Sequence, residues 1–235
     1  MKIFSFPSSA DTQSSSIYSH YYYSSTAMAN YVVEHMEDGI FPWVLLEYLA
    51  VSKDVGGADH FFLTSMNPDL HASLPPQLAD KSVVTTTTDE VIALPAVSAA
   101  AAAGRVCLLD PGAEQELVPE DGDRFDWYVF GGILGDHPPR DRTAELRRYG
   151  FAGRRLGPVQ MTTDTAIRVT KTVVEERLPL DKIPYVDFPE LRWSRRESTE
   201  MPFRYVADAN NEPIMPEGMR ELIKADASRG FGDML

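Results

Sequence analysis

The apolar positions of this chain fall into short continuous runs set between polar, Gly- and Pro-marked segments. Tyr31-Val32-Val33-Glu34-His35-Met36 predicts a strand that ends in polar residues. Pro42 suits the first turn of a helix running to about Lys53, with Val44, Leu45, Tyr48 and Leu49 apolar and Gly56-Gly57 ending it. His60 to Ser65 reads as the next strand. A β-α-β opening of this kind implies a parallel sheet with a right-handed crossover. The pattern weakens over 67–104, with a possible strand at Ser82–Thr86 and a short helix over Asp89–Leu94. The alanine run that follows would suit either a helix or a loop.

Arg105 to Leu109 is a clear strand, closed by the turn Asp110-Pro111-Gly112. Trp127 to Phe130 is apolar throughout, the pattern of a strand buried on both faces, and it empties into Gly131, Gly132, Gly135 and Asp136. Glycines there let backbone groups approach a ligand without interference from Cβ. Asp141–Tyr149 predicts a short helix, and Arg154-Arg155-Leu156 a brief strand. Leu156-Gly157-Pro158 then makes a second tight loop. Met161-Thr162-Thr163-Asp164 leads into a helix to about Arg177, with Thr162 or Thr163 as N-cap and Asp164 near the positive dipole end. Two strand-end loops and a helix start within about 40 residues can wall in one small cofactor.

The glycine spacing is neither G-x-G-x-x-G nor a P-loop, so a phosphate cradle fits poorly. A nucleoside held by backbone groups and a carboxylate fits better. Toward the C-terminus, Tyr185–Phe188 reads as a last parallel strand. Phe203–Val206 and Pro213–Met215 read as a hairpin around Asn210-Asn211, and Pro216–Ala227 as a closing helix.

Composition narrows the partners. The chain of 235 residues carries a formal net charge of −13. Residues 1–29 hold only Lys2 and Asp11 as charges, so the acidic excess belongs to 30–235. We therefore divide the chain into a Ser- and Tyr-rich leader, 1–29, expected to be disordered, and one domain, 30–235. An acidic domain repels phosphate backbones and attracts basic peptides, which disfavours direct binding of nucleic acid. Cys107 is the only cysteine, which excludes an intramolecular disulfide and suits a reducing compartment such as the cytoplasm. The five histidines show no metal-ligand spacing, so no metal site is expected. No apolar run is long enough to span a membrane.

Four segments together resemble the SPOUT methyltransferases. They are GRVCLLDP at Gly104–Pro111, VFGGILGDHPPRDR at Val129–Arg142, RRLG with QMTTDTAIR at Arg154–Arg168, and EMPFRY at Glu200–Tyr205. The likeness is to the fungal branch that methylates arginine in the third protein of the small ribosomal subunit. It implies an α/β fold, mostly parallel with helices on both faces, and a trefoil knot in the C-terminal half. It also implies S-adenosylmethionine bound in three knot loops, 131–136, 155–157 and 161–165. Backbone groups of Leu134, Leu156 and Met161 would meet the adenine, Gly131, Gly132 and Gly135 would permit close approach, and Gly157 belongs to the second loop of the cofactor set. Arg155, Thr162 and Thr163 complete the expected cofactor set.

An arginine acceptor sets a chemical problem, because guanidinium is protonated and a poor nucleophile. A carboxylate can hold it bidentately and accept its proton. Asp136 and Glu34 are the expected catalytic carboxylates, with Glu200 a third candidate. His137 and Arg140 could line the site, whereas Arg142 suits a structural pairing. RNA methylation is the competing activity and would need a basic groove, for which Arg147-Arg148, Arg154-Arg155 and Arg192–Arg196 are the available arginines. The resemblance further implies a monomer.

Overall fold

The computed structural model describes residues 28–132 and 143–232. The chain opens with β1 (Asn30–Glu34), α1 (Pro42–Val55) and β2 (Phe61–Thr64), as the pattern predicts. Pro42 starts α1, and Gly56, in the left-handed region at φ 91°, ends it. Two short helices follow, α2 (Pro68–Ala72) and α3 (Pro76–Ala79), then β3 (Thr85–Thr86). The 89–94 segment is a 3-10 turn at Val91–Ala93, and the alanine run is helical, α4 (Pro95–Ala102). β4 (Val106–Leu109), α5 (Asp121–Arg124), β5 (Trp127–Gly131), β6 (Ala152–Arg154) and α6 (Thr163–Val174) complete the main layer.

These six strands form one sheet in the order β3-β2-β1-β5-β4-β6. Every pairing in it is parallel. β1 and β5 lie at the centre, paired from Asn30↔Trp127 to Glu34↔Gly131. All five residues of β5 are buried, which is why its sequence is apolar without alternation. Successive side chains still divide between the two faces. Tyr31, Val33, Cys107, Leu109, Tyr128 and Phe130 pack with α1 and α6. Val32, Val106, Leu108, Trp127 and Val129 pack with Val91, Val97 of α4 and Leu146. The two-faced α/β expectation therefore holds. Cys107 is fully buried in the first cluster, where burial pushes its thiol upward and away from reactivity.

α6 is clamped to this layer at its C-terminal end. A Cβ on Gly122 would lie 2.2 Å from the carbonyl oxygen of Val174, so no other residue fits where α5 meets α6. Tyr31 at the start of β1 donates its hydroxyl to Glu175, just past α6, at 2.8 Å.

The C-terminal elements depart from expectation. β7 (Tyr185–Asp187) does not join the parallel sheet; it pairs antiparallel with β10 (Arg204–Val206) in a separate ribbon. β8 (Glu190–Arg192) and β9 (Ser198–Glu200) form a second ribbon that the sequence pattern did not suggest. The expected hairpin at 203–215 survives as a bridge between Ala207 and Pro213 and a bond from the Ile214 amide to the Val206 carbonyl. α7 (Met219–Gly232) closes the chain. Leu191, Met201, Phe203, Tyr205, Met219 and Ile223 make a third core that packs against Trp43 and Leu46 on the outer side of α1. Among the described residues, no helix is long and apolar enough to cross a membrane.

Candidate functional site

The sheet delivers β5 to its C-terminal edge beside the end of β1. Gly131 is buried there, and the Gly132 amide donates to the Glu34 carbonyl at 2.9 Å. A Cβ on Gly132 would sit 2.7 Å from that oxygen, so glycine is required for this close strand-end contact. The rest of the first loop, Leu134, Gly135 and Asp136, lies outside the described residues, as do His137, Arg140 and Arg142. The expected trefoil knot, whose first loop is set at 131–136, therefore lies outside the described residues.

Chain emerging from that segment is fixed by an ionic anchor. Asp110, 5% exposed just after β4, accepts from Arg147 at 2.5 and 2.7 Å and from the Thr143 hydroxyl at 2.9 Å. The Arg147 hydrogen bonds hold the Asp110 carboxyl below its usual range. Sequence reading took Asp110 for a turn residue only, because its partner is 37 positions away.

The second loop follows β6. Arg154 is buried and bonds Asp121 bidentately at 2.8 and 2.9 Å. The Arg155 guanidinium bonds the Ala113 carbonyl at 3.2 Å and reaches Glu116 at 3.5 Å. Its amide and carbonyl bond Gln115 and Leu117. The expected cofactor role for Arg155 thus meets a residue whose polar groups are already engaged. Leu156 packs half-buried on the main core, and Gly157 turns the chain at φ 87°.

Arg204 braces the second and third loops. Its amide donates to the Gln160 carbonyl at 2.8 Å, and Met161 bridges it in parallel fashion. The Arg204 guanidinium lies 4.5 Å over the Tyr185 ring and bonds Asp187 at 2.6 and 2.7 Å. Where a Cβ of Gly157 would point, the nearest atom outside the loop is Arg204 Nη1 at 4.0 Å. Leu156 and Met161 flank this turn, both half-buried against the main core. The motif EMPFRY contains Arg204, but nothing in its spacing marks that arginine as a brace.

Met161 then leads into α6. Thr162 occupies the N-cap position, yet its side chain caps no helix amide; it bonds Thr165 Oγ1 at 2.8 Å. Glu47 of α1, 1% exposed, approaches this end of the helix; its Oε1 accepts from Trp43 Nε1 at 2.6 Å, and its Oε2 is buried without a hydrogen-bond partner. Asp164, also 1% exposed, lies close enough for its charge to act on Glu47, and both of its own carboxyl oxygens are buried without a hydrogen-bond partner. Burial first, and then the charge of Asp164, pushes the Glu47 carboxyl well above its usual range. Burial likewise raises Asp164. Tyr205 abuts the pair with a buried hydroxyl that has no hydrogen-bond partner.

Of the expected catalytic carboxylates, Glu34 is not presented to an acceptor. It is 2% exposed and points to the face opposite α1. Its carboxylate accepts from the Thr64 hydroxyl, from the Ser65 hydroxyl at 2.6 Å and from the Val91 amide at 3.1 Å. Those bonds tie together the ends of β1, β2 and the Val91 turn. Glu200 is exposed on β9 opposite Glu190, away from the loops described.

Comparison with known proteins agrees with this geometry. A family described as protein arginine N-methyltransferase SFM1-like matches residues 30–230. The protein arginine N-methyltransferase SFM1 of Saccharomyces cerevisiae is 45% identical over 215 residues, covering 87% of this chain and 99% of the yeast protein. The crystal structure of the yeast enzyme complexed with SAM superposes with a TM-score of 0.79 at 44% identity, covering 86% of this chain and 92% of the other. The complex of the yeast enzyme with SAH gives 0.74 at 42% identity, over 87% and 99%.

Proposed function

We propose, since this chain belongs to the SFM1-like family of protein arginine N-methyltransferases, that it methylates an arginine of a small-subunit ribosomal protein in the cytoplasm. The third protein of that subunit is the substrate that the motif resemblance favours, and the enzyme acts as a monomer. The carrying observation is the family match itself, which runs from residue 30 to 230 and so contains all three loops. S-adenosylmethionine, found with the yeast relative, supplies the methyl group. Leu156, Gly157 and Met161 offer it apolar walls and a turn without Cβ.

The chain's own work is to position an acceptor and take its proton. With Glu34 saturated by three donors, Asp136 is the carboxylate to which we assign the acceptor guanidinium. Methylation of a guanidinium nitrogen leaves one proton too many, and a carboxylate at bidentate distance can accept it. Asp136→Ala abolishes transfer; turnover like wild type in that variant would remove Asp136 from the site.

Charge supports a protein acceptor over RNA. Arg147, Arg148, Arg154, Arg155 and Arg192 each face a carboxylate within the chain, namely Asp110, Glu90, Asp121, Glu116 and Glu190. Arginines neutralised in this way make a poor phosphate track. Transfer of labelled methyl to isolated small ribosomal subunits, followed by separation of protein from RNA, decides the matter. Methylarginine in one protein band supports the proposal, and label in RNA overturns it.

A further inference from the structure

We propose that Ser198 is a phosphorylation site for an arginine-directed serine kinase, and that its phosphate draws Arg192 away from Glu190 across the β8–β9 ribbon. Among the described side chains, the other arginines lie against a carboxylate or an aromatic ring. Arg195 and Arg196 do neither, and both stand exposed at the tip of the hairpin, residues 193–197. In a chain of net charge −13, two adjacent guanidinium groups left to solvent are the exception. An RNA backbone suits them poorly, because Glu190, Glu197 and Glu200 are exposed on the same hairpin. The order Arg195-Arg196-Glu197-Ser198 points elsewhere. A basic pair shortly ahead of a serine is a charge pattern that arginine-directed kinases read with carboxylates of their own.

The hairpin can present this sequence. Ser198 is exposed, and with Arg192 it forms the last pair of the ribbon before the tip. The tip is closed by two bonds onto the Glu197 carbonyl, from the amides of Trp193 at 2.9 Å and Ser194 at 3.2 Å. Each strand has three residues, and a two-stranded ribbon so short opens locally at small cost. In the reaction, Ser198 Oγ attacks the γ-phosphorus of ATP. The new O–P bond forms as the bond to the bridging oxygen breaks, ADP leaves with that electron pair, and a carboxylate of the kinase takes the hydroxyl proton. The product places roughly two negative charges directly across from Arg192. Arg192 in the unmodified chain bonds Glu190, on its own strand, at 2.9 and 3.0 Å. Glu190 stands opposite Glu200, a like-charge pair that Arg192 relieves. Once the phosphate holds Arg192, that relief is gone, and the ribbon weakens.

Incubation of the full chain with γ-labelled ATP and the catalytic subunit of a cyclic-nucleotide-dependent kinase, with the phosphate mapped by mass spectrometry, tests the site. Stoichiometric phosphate on Ser198 is the expected result. Ser198→Ala abolishes that label, whereas Ser194→Ala, in the same tip, labels like wild type. Arg195→Ala combined with Arg196→Ala lowers the initial labelling rate by at least about tenfold, the loss of two charge-assisted contacts. All of these side chains are exposed, so a folding defect does not imitate the result. The phosphorylated chain melts about 1–3 °C below the unmodified one, the scale of a like-charge contact across a ribbon. Glu190→Gln narrows that gap. Absence of label, label that survives Ser198→Ala, or wild-type labelling of the double arginine variant overturns the site. An unchanged melting temperature after full phosphorylation overturns the exchange of Arg192.

Discussion

Glu34 and Glu47 are both glutamates with almost no exposure, yet they stand in opposite electrostatic situations. Glu34 sits among donors, two hydroxyls and an amide, and the three bonds pull its carboxyl down against the rise that burial causes. Glu47 accepts from Trp43 on one oxygen, leaves the other without a partner, and lies beside a second acid. Burial raises both and is the larger cause at Glu47, where the neighbouring Asp164 adds to the rise. The difference shows what acts on a buried carboxylate beyond burial itself: the donors it finds lower it, and a like charge beside it raises it. A residue of the first kind serves as a structural knot between chain segments. A residue of the second kind is costly, and persists only where its position matters.

The most forceful way to break the contrast is to create a stranded acid where none exists. Arg154→Ala leaves Asp121 buried without its bidentate partner and lowers unfolding free energy by about 3–5 kcal/mol in urea titration. A loss below about 1 kcal/mol would mean that water or a neighbour replaces the arginine. Glu34→Ala strands three donors at the C-terminal edge of the sheet, and we expect about 2–4 kcal/mol by the same measurement.

His35 follows Glu34 in sequence but faces α1, where its Nδ1 meets the Tyr48 hydroxyl at 2.8 Å. Burial lowers its pKa from 6.5 to about 4. The folded state therefore keeps His35 neutral while the unfolded chain protonates it, so the stability it confers above pH 6.5 is lost as the pH falls toward 4. The loss amounts to roughly 3 kcal/mol at most. His35→Gln flattens this acid limb in a series of melts, and an unchanged slope would place the titration elsewhere.

The smallest effect is at Glu47, and it has the opposite sign. Its folded pKa lies above the usual 4.5, so the folded state binds a proton that the unfolded chain releases, and the contribution erodes as pH rises. Glu47→Gln removes that cost and becomes more stable than wild type by about 1 kcal/mol above neutrality, with no advantage near pH 4. An advantage that did not grow with pH would show that Asp164, not Glu47, carries the raised titration.

Much of the main sheet was legible along the chain, because buried parallel strands such as Val106–Leu109 and Trp127–Gly131 are continuous apolar runs. The first helix was legible from Pro42 and Gly56. The C-terminal ribbons were not. Tyr185-Val186-Asp187 looks like a short buried strand, but it lies half-exposed in an antiparallel pair, and three residues are too few to reveal the difference. Glu190–Arg192 and Ser198–Glu200 are mostly polar and give no alternation to detect. In the site, glycine positions announced the close approaches, as at Gly132. Glu47 was invisible for a different reason. It stands in Leu45-Leu46-Glu47-Tyr48 like a solvated acid on a helix, and the acid that acts on it, Asp164, lies over a hundred residues downstream. Local pattern reports which face is apolar, and it is silent about which polar groups meet across the core.

The central ladder of the sheet has a consequence for how the molecule is made. β1 is among the first strands synthesised, yet one whole edge of it pairs with β5, about a hundred residues later. Until Trp127–Gly131 has left the ribosome, Tyr31, Val32 and Val33 lack half of their hydrogen-bonded surroundings. Pairings of such separation close slowly, and nascent chains that wait with apolar strands exposed are prone to associate. A pause in translation after residue 131 would let the centre of the sheet assemble, whereas a pause before it would hold an open edge in the cell.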